Sequence, residues 1–227
     1  HKFSAIMKVF LVISVLIAAA SAESCYRDVY GACSGRSIGT NGTLLANCNA
    51  KYGSFGKMEV GLQAYVNAQI EASFEYLLMS SFFGNYQANR DGFKSLYRKL
   101  SDKAWDDAFD LIKFITKRGG VMNFGQYPQS KVTKPVFDLN ELNSLAKALD
   151  TQKRLAEETL SLHARAQYHP DDKDGSVAHY LEERFMEPQA DCVRDLAGHI
   201  TDLKQLLSSH DESVSVFIFD EYLQKYL

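Results

Sequence analysis

The stretch from Phe93 to Lys117 places an apolar or small residue at every third or fourth position: Phe93, Leu96, Leu100, Ala104, Ala108, Leu111 and Ile115. That period is one face of an α-helix; a half-buried strand would alternate instead. Three more stretches of similar length repeat it. Four such helices bury their apolar faces by packing on one another, which makes a bundle the expected fold. Helix one is expected over 57–83, with Leu62, Val66, Ile70, Phe74, Leu77 and Met79 on its stripe. Helix three carries Leu142, Leu145, Leu149, Ala156 and Leu160 and ends before His169-Pro170. Helix four begins near 174–176 and carries Leu181, Phe185, Cys192, Leu196, Ile200, Leu203 and Leu207, with Pro188 expected to kink it.

The ends and connections carry their own signals. Lys117 and Arg118 suit the negative end of a helix dipole, and Gly119-Gly120 stops helix two. Asp138 reads as the cap of helix three, with Glu141 completing a capping box and Phe137 stapling onto Leu142. The connection over 121–136 holds Pro128 and Pro135 and is long enough to run the length of a bundle. Val214 to Phe219 has strand-like composition but no strand to pair with, so a short fifth helix is expected. The acidic turn Asp171-Asp172-Lys173-Asp174-Gly175 is no EF-hand, since the first and last ligand positions would be Pro170 and Leu181.

Met7 to Ala22 reads as a secretory signal: Lys8, an apolar run, then Ala20-Ser21-Ala22 as a cleavage site, with residues 1–6 an upstream remnant. No later stretch is long enough to span a bilayer. Residues 23–56 form a cysteine-bearing extension, and 57–227 the bundle. The chain carries a net charge of −3 and no basic footprint for nucleic acid. Cysteines at Cys25, Cys33, Cys48 and Cys192 fit an oxidising compartment. They allow three internal connectivities, or one local pair plus a bridge to another chain. Asn41-Gly42-Thr43 is a glycosylation sequon.

Bundle cores of this shape can house two iron ions, and that chemistry needs inward carboxylates and Glu-x-x-His pairs. The chain contains no Glu-x-x-His. The inward polar positions are Gln69, Gln152 and Gln189, with Ala104 and Asp107 on helix two. Neutral amides cannot offset the charge of two iron ions. The residues alone read as a satisfied core network of glutamines.

Several motifs resemble the ferritin family, and within it the light-type subunits of secreted insect ferritins. Tyr76-Leu77-Leu78-Met79-Ser80 with Phe82-Phe83 is similar to the end of the family's first helix, and Lys117-Arg118-Gly119-Gly120 to the turn after its second. Leu162-His163 with the acidic turn at 171–174 resembles the end of the third. Gly198-His199-Ile200-Thr201-Asp202-Leu203 resembles the family's Gly-Asp-His-Val-Thr-Asn-Leu, one residue shorter. The resemblance implies an antiparallel four-helix bundle with a long crossover between helices two and three. It also implies a 24-subunit cage storing ferric mineral. The ferroxidase positions of catalytic subunits fall on Gln69, Ala104, Asp107, Gln152 and Gln189, of which Gln189 alone keeps the family's residue. The implied role is iron storage without ferroxidase activity, beside copies of itself and a heavy-type partner, in the secretory pathway or outside the cell. Glu182 and His179 take the positions of the iron-entry pore. Ser95, Arg98, Lys99, Asp102, Lys103 and Asp106 take those of the cavity face, leaving Asp102 and Asp106 as the mineral-nucleating acids. One cysteine among Cys25, Cys33 and Cys48 is expected to bridge to a partner subunit. The competing readings are a secreted four-helix binding protein without iron, and a di-iron oxidase with altered ligands.

Overall fold

The computed structural model describes Cys25, Val29, residues 48–123 and residues 140–226. The chain divides into two units, residues 1–50 and residues 51–227. In the first, Cys25 and Cys48 form a disulfide. That pair takes two of the three early cysteines. Cys33, Asn41 and the signal segment lie outside the described residues.

The second unit is all helix among the described residues: α1 (Phe55–Phe83), α2 (Asp91–Lys117), α3 (Glu141–Tyr168), α4 (Gly175–Leu181), a single π-helical turn (Glu182–Met186), α5 (Glu187–Ser209) and α6 (Glu212–Tyr226). No described helix is long and apolar enough to cross a membrane. The pairing of α1 with α2 is antiparallel: Phe83 stacks on Phe93, Ser73 meets Ser101 in mid-helix, and Phe55 packs on Phe114 at the far end. The α2 stripe is buried at every expected position.

The crossover follows from where the helices end. Lys117 closes α2 at the end of the bundle where α1 starts. Asn140 opens α3 at the opposite end, where Arg90 pairs with Glu141 at 3.1 Å and Tyr97 donates to Ser144 at 2.6 Å. A 27-residue helix is about 40 Å long, so the end of α2 and the start of α3 lie at opposite ends of the bundle.

Four local expectations are corrected. Asn140 caps α3, its side chain accepting from Asn143 N at 2.7 Å. Glu141 is therefore the first helical residue and pairs with Arg90 rather than closing a capping box; Phe137 and Asp138 lie outside the described residues. On α1 the buried face is Leu62, Tyr65, Val66, Gln69, Ala72, Ser73, Tyr76 and Met79, while Phe74 and Leu77 are exposed. This helix carries two apolar stripes, and the outward one holds Phe74, Leu77, Leu78 and Phe82. On α3, Leu160 is exposed and Leu155, Thr159 and Leu162 face inward. The kink expected at Pro188 is absorbed one turn earlier by the π-helical turn, where Glu187 N bonds to Glu182 O. Pro188 then sits in the first turn of α5, where its missing N–H costs little.

The fifth helix forms, longer than expected. It is pinned by Asp220, which is buried and accepts from Phe93 N at 3.0 Å. That contact serves as the N-terminal cap of α2, which has no side-chain cap of its own. Gly92 is required there: a Cβ would lie 2.2 Å from the Asp220 carbonyl oxygen.

Candidate functional site

Gln69 of α1, Ala104 and Asp107 of α2, Gln152 of α3 and Gln189 of α5 converge on one cavity of about 40 Å³ in the middle of the bundle. Leu100, Lys103, Pro188 and Cys192 complete its wall. The five positions singled out from the sequence are thus brought together.

Two tyrosines organise the amides. Gln69 Nε2 donates to Tyr65 Oη at 2.7 Å, and Gln189 Nε2 to the same oxygen at 2.6 Å. The Thr159 hydroxyl lies 2.7 Å from it and 2.9 Å from the Leu155 carbonyl. Two amide donors fill the phenol's lone pairs, so its own proton falls to Thr159. Gln152 Nε2 donates to Tyr76 Oη at 3.1 Å, and that hydroxyl reaches the Ala148 carbonyl at 3.3 Å. All three amide nitrogens are thereby held. Gln189 Oε1 is buried with no hydrogen-bond partner. Burial pushes the Tyr65 hydroxyl up to about 12, despite hydrogen bonds with Thr159, Gln189 and Gln69 that pull the other way, so it remains a neutral phenol.

Asp107 supplies the one carboxylate lining this cavity. It is 6% exposed, and its neighbours are cations: Lys103 bonds it directly and Arg184 lies 3.8 Å away. Burial raises its pKa above the usual carboxylate value, although Lys103 opposes the shift. Burial also pushes the Cys192 thiol up to about 11, which makes it a poor nucleophile. The donor set therefore consists of three neutral amides, one carboxylate and a resident ammonium group. Among the described residues no cluster of three or more His, Cys, Asp or Glu is placed to hold a metal ion.

The two expected pore residues have separate side-chain partners. Glu182 Oε1 lies 2.6 Å from His163 Nε2 of α3. His179 instead faces Glu183 at 3.6 Å, both well exposed. On α2, Asp102 is held by two guanidinium nitrogens of Arg98, at 2.8 and 2.9 Å, while Asp106 is exposed one turn further on. Tyr65, Thr159 and Glu183 do not stand out in the sequence, and Tyr76 does so only as part of the motif at the end of the first helix. The signal for Tyr65 was its place one turn before Gln69 on the same face.

A four-helix bundle with a lengthwise crossover and a polar centre fed by all four long helices defines the class: a ferritin-like bundle. The sequence matches the ferritin family, described as a ferritin-like domain, over residues 60–206. It is 44% identical to the ferritin light chain of Trichoplusia ni, over 95% of this chain and 97% of that one. It is 39% identical to the ferritin light chain of Drosophila melanogaster, over 99% of each. The crystal structure of Trichoplusia ni secreted ferritin superposes with a TM-score of 0.81 at 43% identity, covering 91% of this chain and 100% of that one. The chain belongs to the ferritin family, whose members store iron.

Proposed function

We propose that this chain is a light-type, non-catalytic subunit of a secreted ferritin cage, built with a catalytic heavy-type subunit. The observation that carries this reading is the composition of the central cavity. Iron ions are hard cations that need several anionic oxygens and an imidazole to bind as a pair. Here one carboxylate is present, and Lys103 and Arg184 already stand against it. The residues do not fit a di-iron pair. A network of tyrosines and amides joins the helices instead: the amide nitrogens of Gln69, Gln152 and Gln189 all donate to Tyr65 or Tyr76, and only Gln189 Oε1 among these groups is buried without a partner.

Two relatives named ferritin light chain and a structural neighbour named secreted ferritin support the same assignment. The outward apolar stripe of α1, with Phe74, Leu77, Leu78 and Phe82, gives a subunit surface suited to burial in an assembly. Cage building is the main task of this chain. Of the two acids placed to nucleate mineral, Asp102 is already paired with Arg98, which leaves Asp106 as the unpaired one among the described residues. Glu182, backed by His163, is the pore carboxylate available to attract ferrous iron.

The test has two parts. The protein purified from its source is expected to have the native mass of a large assembly, containing iron and a second subunit type. The isolated chain is expected to oxidise ferrous iron no faster than buffer. A small, iron-free monomer would exclude the cage, and rapid oxidation by the isolated chain would make it an oxidase with altered ligands.

A further inference from the structure

A second polar site lies away from the central cavity, where the end of α1 meets the first half of α2. Ser80, Lys94, Ser95, Arg98, Lys99 and Asp102 line an open groove of about 650 Å³. Three of the six carry positive charge and one carries negative charge, on a chain whose net charge is −3. The single acid is spoken for, since Asp102 holds both guanidinium contacts of Arg98. Lys94 has an exposed partner in Asp91 at 3.0 Å, a pairing of little strength in water. Lys99 has no carboxylate partner among the described residues. The Ser95 hydroxyl is exposed, with no protein partner among the described residues, and so adds a donor. Lys94 is the fourth residue of α2, so the positive end of that helix's dipole adds to the field in the groove.

We propose that this groove binds a phosphate-class oxyanion, with Lys94 and Lys99 as charge partners, Ser95 as a hydroxyl donor and Arg98 held in place by Asp102. Lys94 with Arg98, and Ser95 with Lys99, are i,i+4 neighbours on α2, so two adjacent strips of that helix bring three cations and a hydroxyl to the groove, with Ser80 of α1 on its border. The ligand chemistry has two sources: free inorganic phosphate, or phosphate at the surface of a ferric mineral. The second source rests on the iron-storage reading above; the first does not.

The experiment uses the purified full-length, iron-free protein and inorganic phosphate, titrated by calorimetry at fixed ionic strength. The comparison set is wild type, Lys99→Glu and, as control, Lys117→Glu at the other end of the same helix. Lys99→Glu is expected to weaken phosphate binding by about tenfold or more, since it exchanges an attraction for a repulsion of similar size. Lys117→Glu is expected to leave the affinity within about twofold. Equal losses in both variants would show a response to overall charge and overturn the site. Wild-type affinity in Lys99→Glu would overturn free phosphate as the ligand. A second arm grows ferric mineral in phosphate with the assembled protein and reads the phosphorus-to-iron ratio. A ratio that falls in Lys99→Glu but not in Lys117→Glu assigns the site to mineral phosphate. Unchanged affinity together with an unchanged ratio removes the proposal altogether. Failure of the iron-storage reading would leave the calorimetric arm standing, so the two are separable.

Discussion

Two of the places where the bundle buries polar side chains solve the problem differently. At mid-bundle, Gln69, Gln152 and Gln189 are tied to Tyr65 and Tyr76, and every member of that set is neutral. At one end, Arg118 and Asp174 form an ion pair at 2.7 Å with side chains 4% and 6% exposed. The Arg118 guanidinium also lies 4.1 Å from the Tyr52 ring and 5.1 Å from that of Phe55, and donates to the Tyr52 carbonyl at 3.2 Å. Asp174 caps α4 by accepting from Ser176 N and Val177 N. Gly53, with φ +64, fits beneath this pair, where a Cβ would approach Asp174 Oδ2 to 3.3 Å. A buried charge is tolerated where several partners share it, and the end of the bundle supplies them. The centre supplies amides and hydroxyls, so neutrality is the stable solution there.

The largest effect is expected at the charged end. Arg118→Ala leaves Asp174 buried without its counter-ion and should cost about 3–5 kcal/mol, read as a lower denaturant midpoint. Asp174→Asn should cost less, because the amide oxygen can still cap α4 while the charge is lost. If Arg118→Ala falls within 1 kcal/mol of wild type, to the order of magnitude such costs allow, the ion pair is not what holds this end.

Removing the central hub comes next. Tyr65→Phe deletes one oxygen that meets Gln69, Gln189 and Thr159. Leaving buried donors unpaired costs about 1–3 kcal/mol each in principle, and a water entering the vacated space would recover part of it. A net loss of about 2 kcal/mol is expected, below that of Arg118→Ala. A larger loss than at Arg118 would invert the comparison and show that the neutral network is the stronger of the two. The same variant should leave iron oxidation by the isolated chain at background.

These two regions were not equally legible in the sequence. The three glutamines stood out because polar residues interrupt apolar stripes of fixed period. The period also gave the four long helices and their order. Arg118 and Asp174 are 56 residues apart, and each had a sufficient local reading, as a helix-end cation and as part of an acidic turn. Nothing local joins them. Tyr65 and Tyr76 were hidden for another reason: an aromatic on an apolar face reads as packing, and its hydroxyl has no signature in periodicity. Helix α1 misled through excess, since apolar residues on two faces let Phe74 and Leu77 look like core while the buried positions were Ser73 and Tyr76. The cap of α3 was displaced because Asp138 and Asn140 are both competent caps, and geometry chooses between them.

Asp107 offers the finest test, because it is the charged member of the neutral region. Its carboxyl is raised above the ordinary value by burial, with Lys103 and Arg184 pulling the other way and Asp110 adding to the rise. A raised carboxyl binds its proton more tightly in the folded state than in the unfolded one. Its contribution to stability is therefore full below the unfolded value and is lost as pH rises through the folded one. Asp107→Asn removes that titration while keeping the shape. The stability difference between wild type and Asp107→Asn should thus move against the wild type as pH rises from below the ordinary aspartate range towards neutrality, and level off above it. Urea midpoints of both proteins across that range give the curve. A difference that moves in favour of the wild type over the same interval would mean that Lys103 outweighs burial. The centre would then hold an ion pair as the end does, and the distinction between the two regions would fall.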